Sequence, residues 1–306
     1  MKDLSIIIVT YNGHDITLKT LACYEEAIAA DPDHSYEIIV VDNASQDGVA
    51  DAIEKRFLGA HLIRLQKNDG FSAGNNVGFA SSNGRYILFS NPDIEVTDKT
   101  LPVLIALMDQ NPDVGACTPF LKLATTGDID WGAHRGFPTP WAAFTYFAKL
   151  SQLFKKSRRL SRIFGQYHLL DRDLGKAHEI DVIRGGFFFV RREVFEQAGG
   201  WDEDYFMFGE DIDLCYQIKK LGHKIAFYPQ ASALHYHGMT TGLKGHSQAL
   251  SAADAEAREK AYNAFYDTMR IFYDKNLQTK YSRAIRWLVF CVVEIKRNLG
   301  RHRKTV

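Results

Sequence analysis

Leu4-Ser5-Ile6-Ile7-Ile8-Val9-Thr10-Tyr11-Asn12 opens the chain with an apolar, β-branched run that turns polar at its carboxyl end. Three later runs repeat the design. Glu37 to Val41 leads into Asp42-Asn43-Ala44-Ser45, His61 to Leu65 into Gln66-Lys67-Asn68-Asp69-Gly70, and Tyr86 to Phe89 into Ser90-Asn91-Pro92-Asp93. The intervening segments are long enough to hold helices, so the alternation predicts an α/β fold with a mostly parallel sheet and crossover helices. Strands this uniformly apolar are covered on both faces. Ligands gather at the carboxyl ends of such strands, so four polar ends on adjacent edges predict a polar ligand site. Taken singly, each end is ordinary turn chemistry.

The bulk composition sets the limits. With 306 residues, 46% hydrophobic and 24% charged, the chain can bury a large core and reads as one large α/β domain or a domain with an extension. Formal net charge is zero, which leaves no global electrostatic case for nucleic-acid binding. Cys23, Cys117, Cys215 and Cys291 are dispersed and suggest neither a disulfide framework nor a zinc knuckle. The first strand is not followed by the glycine pattern of a dinucleotide fold, and no P-loop pattern occurs. The Leu4 to Val9 run is too short for a signal-peptide core. The apolar run Trp287 to Ile295 contains Glu294 and falls short of the roughly 20 residues that span a bilayer. The expectation is a cytoplasmic chain, soluble or peripherally attached to the membrane.

Three other stretches carry chemistry. Gly199-Gly200-Trp201-Asp202-Glu203 runs into Phe208-Gly209-Glu210-Asp211-Ile212-Asp213-Leu214 and sets carboxylates beside a glycine turn at the start of a helix. Burial and neighbouring charge shift such carboxylates apart in pKa, which suits a base; an acidic first helical turn is the plainer reading. Asn68 to Gly78 is glycine-rich and enters a helix, where backbone N–H groups can meet a phosphate or simply make a tight turn. Thr139 to Leu170 is basic and aromatic without an acidic residue, and the sheet pattern resumes at Asp181 to Val190. Long helical patterns run from about Ala249 to Lys275 and from Tyr281 to Leu299.

In this order, Ser5 to Asn12, Val41-Asp42-Asn43-Ala44-Ser45-Gln46-Asp47-Gly48, Asn68 to Gly78, Asn91-Pro92-Asp93, Arg184-Gly185-Gly186 and Glu210-Asp211 resemble glycosyltransferase family 2. The resemblance implies a GT-A fold, a nucleoside-diphosphate-sugar donor, Mg²⁺ or Mn²⁺, and inversion at the anomeric carbon. Within the family the chain looks most like the bacterial rhamnosyltransferase branch, which builds cell-surface polysaccharides such as O-antigen on lipid-linked acceptors; that narrower likeness rests on Asn91-Pro92-Asp93 and His235-Tyr236-His237-Gly238. Carried over, Thr10, Tyr11 and Asn12 would line the base and ribose pocket, and Asp42 would accept the N3–H of uracil or thymine. Asn43, Ser45, Asn91 and the loop with Asn68, Gly70, Phe71, Gly74 and Asn75 would surround ribose and diphosphate. The family's Asp-x-Asp metal motif stands here as Asn91-Pro92-Asp93, which loses one charge. Asp93 would hold the metal with His235 or His237. Asp211 would be the general base supported by Glu210, with Asp213 as fallback, and Gly185, Gly186, Trp201 and Asp202 would shape the acceptor side.

The expected division is a GT-A domain over residues 1–245, with 139–170 as a basic, aromatic insertion on the acceptor or membrane side, and a helical extension over 246–306 with an amphipathic basic end. The expected donor is dTDP-rhamnose and the expected acceptor a glycan or a polyprenyl-diphosphate-linked glycan. The basic helix fits a membrane surface or a homodimer contact. A UDP-sugar-dependent transferase of the same family (galactofuranosyl, glucosyl or N-acetylglucosaminyl) and a non-catalytic sugar-nucleotide-binding protein are the alternatives. A nucleotidyltransferase lacks its glycine-rich, Arg-containing phosphate loop here.

Overall fold

A computed structural model describes residues 1–154, 156–236 and 255–302, with backbone alone for 255–258, 301 and 302. The chain runs β1 (Lys2–Thr10), α1 (His14–Ala29), β2 (Tyr36–Asp42), α2 (Val49–Arg56), β3 (Ala60–Arg64), α3 (Phe71–Ala80), β4 (Gly84–Ser90), β5 (Ile94–Val96), α4 (Thr100–Gln110) and β6 (Val114–Leu123). A short 3₁₀ turn at Trp131–Ala133 precedes α5 (Pro140–Phe147), α6 (Leu150–Leu153) and α7 (Arg158–Phe164). Then come β7 (His178–Ile180), β8 (Phe187–Arg191), α8 (Arg192–Gln197), α9 (Glu210–Lys220), β9 (Lys224–His235) and α10 (Ala255–Phe272). A π-helical turn at Tyr273–Leu277 leads to α11 (Arg283–His302).

The four predicted strands are β1 to β4, ordered 3-2-1-4 and all parallel. Thr10 is in register with Asp42 and Ile8 with Ser90, so their polar ends share one edge. Antiparallel β8 then joins β4 to β6, and β9 lies parallel beside β6. Alternation along each strand splits the core in two. Ile6, Ile8, Val40 and Leu88 face α1 and α4, while Ile7, Val41, Ile87 and Phe89 face the layer that includes α8 and α9. Glycines let α3 lie directly on β1. A Cβ at Gly74 would stand 2.9 Å from Val9, and one at Gly78 2.5 Å from Ile7.

One strand differs from the sequence expectation. Asp181 to Val190 is broken, because Arg184-Gly185-Gly186 leaves the ladder before β8 begins at Phe187. The interruption turns out to organise the site. The C-terminal elements rest on α9: Tyr216 donates to the Asn276 carbonyl at 3.1 Å, and Phe272, Tyr273 and Leu277 form a separate apolar cluster. Residues 237–254, which include the 245/246 boundary, lie outside the described residues.

Candidate active site

The turns after β1 and β2 are tied together. Asn12 adopts the left-handed region, donates its N–H to Ser45 Oγ at 3.0 Å and accepts from the Gln46 N–H at 2.8 Å. Buried Asp42 accepts from the Ser45 N–H at 3.2 Å, and Tyr11 is exposed beside them. Asn43 Nδ2 donates to Asn68 Oδ1 at 2.9 Å and to the Gly70 carbonyl at 3.1 Å, which holds the third strand-end loop against the second. Asn43 Oδ1 is buried without a hydrogen-bond partner among the described residues, an acceptor left for a ligand's N–H or hydroxyl.

Two of the expected donor residues turn inward. The Thr10 hydroxyl is fully buried, 2.7 Å from that of Thr17 in α1, and Asn75 Nδ2 donates to the Phe71 carbonyl inside α3. Gly70 and Gly74 are required by packing: Gly70 has φ +98°, and a Cβ there would meet the Phe206 carbonyl at 2.3 Å.

On the other side of β4, Asn91 donates its N–H to the Gly186 carbonyl at 2.9 Å. Asp93 is buried, with Oδ1 3.4 Å from His235 Nε2. His235 Nδ1 donates to Asp130 Oδ2 at 2.7 Å, and the same oxygen accepts from Arg184 at 2.6 Å. Burial alone would lower the His235 pKa, but the Asp93 and Asp130 carboxylates outweigh it and raise it. Burial likewise works to raise Asp130, and His235 and Arg184 hold it well below the usual carboxylate range.

The carboxylate pair opens α9, capped by Gly209 at φ +85°. Asp211 Oδ2 accepts from the buried Arg135 guanidinium at 2.7 Å and from the Gly185 N–H at 3.3 Å, while its Oδ1 takes the Ile212 N–H. Glu210 is buried and its Oε2 has no hydrogen-bond partner among the described residues. Burial, followed by the Asp211 charge, pushes its pKa up. Adjacent carboxylates thus have separate environments, one paired with a cation and one inclined to keep a proton.

Arg184-Gly185-Gly186 connects these groups. Arg184 reaches Asp130, Gly186 takes Asn91, and a Cβ on Gly185 would stand 3.4 Å from Glu210 Oε1 and 3.2 Å from the ring of Phe71. The loop expected to hold the donor, the Asp93–His235 pair and the α9 carboxylates therefore border one backbone segment. Asp130 and Arg135 have no signature in the sequence. They flank the 3₁₀ turn, carry no local pattern, and reach the site only because Arg135 pairs with Val182 across an isolated bridge.

Trp201 is not available to a sugar ring. It is 1% exposed, enclosed by Phe71, Phe89, Phe188 and Phe195, so it is a core residue. Asp202 is committed to Lys275, which also bridges Asp204 at 2.6 Å. Asp213 faces Tyr205 and Asn276, away from Gly185. His237 lies outside the described residues.

Asp93 and His235 suit a hard divalent ion. His235 offers Nε2 on the Asp93 side while its Nδ1–H is fixed by Asp130, the carboxylate–histidine arrangement that orients a ligating imidazole. Among the described residues no set of three His, Cys, Asp or Glu converges for a metal. An ion there would complete its shell with phosphate oxygens and water, as Mg²⁺ and Mn²⁺ commonly do.

The sequence profile described as glycosyl transferase family 2 matches residues 5–199, well over half the chain. The protein belongs to that family and is a glycosyltransferase. A second profile, described as the N-terminal domain of galactosyltransferase, matches residues 166–240, which contain β8, α9 and β9. Two relatives are similar over most of their length. The N-acetylglucosaminyl-diphospho-decaprenol L-rhamnosyltransferase of Mycobacterium tuberculosis H37Rv is 23% identical over 78% of each chain. The rhamnosyltransferase WbbL of Escherichia coli K12 is 26% identical over 75% of this chain and 82% of its own. The fold, GT-A, is shared with the crystal structure of GalNAc-T7 with UDP, GalNAc and Mn²⁺ (TM-score 0.56, 17% identity), which matches 91% of this chain, while the chain spans 58% of GalNAc-T7. Staphylococcus aureus TarS 1–349 gives a TM-score of 0.55 at 15% identity, over 99% of this chain and 73% of that one.

Proposed function

We propose that this glycosyltransferase moves L-rhamnose from dTDP-rhamnose, with inversion, to a glycan or polyprenyl-diphosphate-linked acceptor in bacterial cell-surface polysaccharide synthesis at the inner face of the membrane. Residues 1–245 form the catalytic domain in this reading, and 246–306 its helical extension. The observation that carries it is the Arg184-Gly185-Gly186 segment, bordered at once by the donor loop, the Asp93–His235 pair and the Glu210–Asp211 pair. The choice of rhamnose is supported by the similarity to two rhamnosyltransferases.

In the proposed reaction the acceptor hydroxyl attacks the anomeric carbon, the bond to the diphosphate breaks, and Asp211 takes the hydroxyl proton. Arg135 and the Gly185 N–H hold the Asp211 carboxylate in position. Glu210, buried beside Asp211 and Gly185, supports the base. Tyr11, Asn12, Asp42, Asn43 and Ser45 bind the nucleoside, with Asn43 Oδ1 as an open acceptor. Asp93 and His235 would hold a divalent ion, whose charge would stabilise the departing diphosphate.

The test is a panel of thymidine- and uridine-diphosphate sugars, with and without Mg²⁺ or Mn²⁺, read by thermal shift and released nucleoside diphosphate. A metal-dependent response to dTDP-rhamnose above the rest is expected. A response to a uridine donor alone would replace the donor assignment and keep the family.

A further inference from the structure

Two distant stretches of sequence expose large apolar side chains outside the site. On α11, Leu288, Val292, Ile295 and Leu299 recur at helical spacing beside Trp287, and all five are exposed, Trp287 at 69%. The opposite face of α11 is already used, since Val289 and Phe290 pack on Phe272, Tyr273 and Leu277. On α5 to α7, Trp141, Phe144, Phe147, Leu153 and Ile163 are exposed as well. The two stretches touch: Lys296 Nζ lies 4.0 Å from the Phe147 ring centroid. Scattered apolar residues need no explanation, but two exposed groups, each with a tryptophan, that meet at Lys296 and Phe147 do.

Charge identifies what covers it. Lys149, Lys156, Arg158, Arg159 and Arg162 are exposed among these apolar residues, and none forms an ion pair among the described residues. No acidic residue occurs from Thr139 to Leu170. Apolar and aromatic side chains interleaved with unpaired cations match a bilayer surface carrying anionic headgroups, where tryptophan sits at the interface and lysine and arginine reach the phosphates. A second copy of this chain would meet like charge on that face. Among the described residues no helix is long and apolar enough to cross a membrane.

We propose that α5 to α7 and the outer face of α11 together form one docking surface for an anionic lipid bilayer. It deepens the functional reading by naming where a lipid-linked acceptor would meet the protein. The surface begins at Pro140, on the same stretch of chain that delivers Arg135 to Asp211.

The experiment is co-sedimentation of the full chain with vesicles of phosphatidylcholine, alone or mixed with phosphatidylglycerol. Wild type is expected to sediment with the anionic vesicles and to be released by salt. Trp287→Ser/Ile295→Ser and Lys149→Glu/Arg158→Glu/Arg159→Glu should each lower partitioning at least about tenfold. Both should leave the melting temperature and nucleoside-diphosphate release with a water-soluble acceptor unchanged. Leu58→Ser, at a residue 87% exposed in the turn after α2, should bind vesicles like wild type. Wild type left in the supernatant at every composition would overturn the proposal, as would undiminished binding by both multiple variants. A concentration-dependent dimer abolished by Trp287→Ser/Ile295→Ser would overturn it too, assigning the face to a second copy. Vesicle binding without sugar transfer would sink the functional reading and leave this surface standing.

Discussion

The Asp211 carboxylate accepts a hydrogen bond from the Arg135 guanidinium at 2.7 Å, across 76 residues of sequence. Together with the Gly185 N–H, that contact fixes one carboxylate oxygen at the head of α9. If Asp211 is the proton acceptor, Asp211→Asn keeps the shape and removes the base. Turnover should fall on the order of 10² to 10⁴ while donor affinity stays nearly intact. Single-turnover kinetics beside donor titration checks this, and near-normal turnover would take Asp211 out of the role.

Glu210 predicts a pH dependence of stability. Its folded pKa lies above the unfolded value because of burial and then the Asp211 charge. Above the ordinary glutamate pKa of about 4.3 the unfolded chain gives up this proton while the folded chain retains it, so stability falls as pH rises. The contribution is fully present below that value and is lost progressively up to the raised folded pKa. The slope from this one group is at most about 1.4 kcal/mol per pH unit. Denaturant unfolding at stepped pH should show it in wild type and not in Glu210→Gln; identical slopes would mean that Glu210 ionises in the folded protein as it does in the open chain.

If Asp93 and His235 hold a divalent ion, Asp130 predicts a metal effect at a residue that would not touch it. Its Oδ2 fixes the Nδ1–H of His235, leaving Nε2 toward Asp93. Removing such an orienting carboxylate typically costs about 10- to 100-fold in metal affinity. Asp130→Asn should therefore weaken Mn²⁺ binding by that factor in calorimetric titrations with nucleoside diphosphate present. Asp93→Asn should weaken it more. Unchanged affinity in both variants would place the metal elsewhere.

Much of the architecture could be read from short-range pattern. Apolar runs ending in Thr10, Asp42 and Ser90 are strands whose periodicity is local, and register then brings their polar ends to one edge without further information. The rest depends on chain crossings. Asp130 and Arg135 gain meaning only when the bridge between Arg135 and Val182 lays their segment across Arg184 and Asp211. Arg184-Gly185-Gly186 looked like the interior of a strand, because flanking Val182, Ile183 and Phe187 are apolar; the backbone's departure at the glycines shows only in three dimensions. Thr10 was expected in the pocket on motif position alone, yet the hydroxyl of Thr17 turns it inward.

Trp201 carries the same lesson and a last prediction. Gly199-Gly200-Trp201-Asp202 reads as an exposed turn bearing an aromatic, but the indole is 1% exposed between Phe71, Phe89, Phe188 and Phe195. Removing a large side chain from such a site leaves a cavity that its neighbours only partly fill. Trp201→Ala should cost about 3–5 kcal/mol in denaturant unfolding. Trp201→Phe, which retains a ring, should cost less. Because Phe71 borders both Trp201 and Gly185, loosening this cluster should also lower turnover by displacing the loop proposed to hold the donor, with the acceptor KM little changed. A Trp201→Ala protein as stable as wild type, with a raised acceptor KM, would return the indole to the acceptor site.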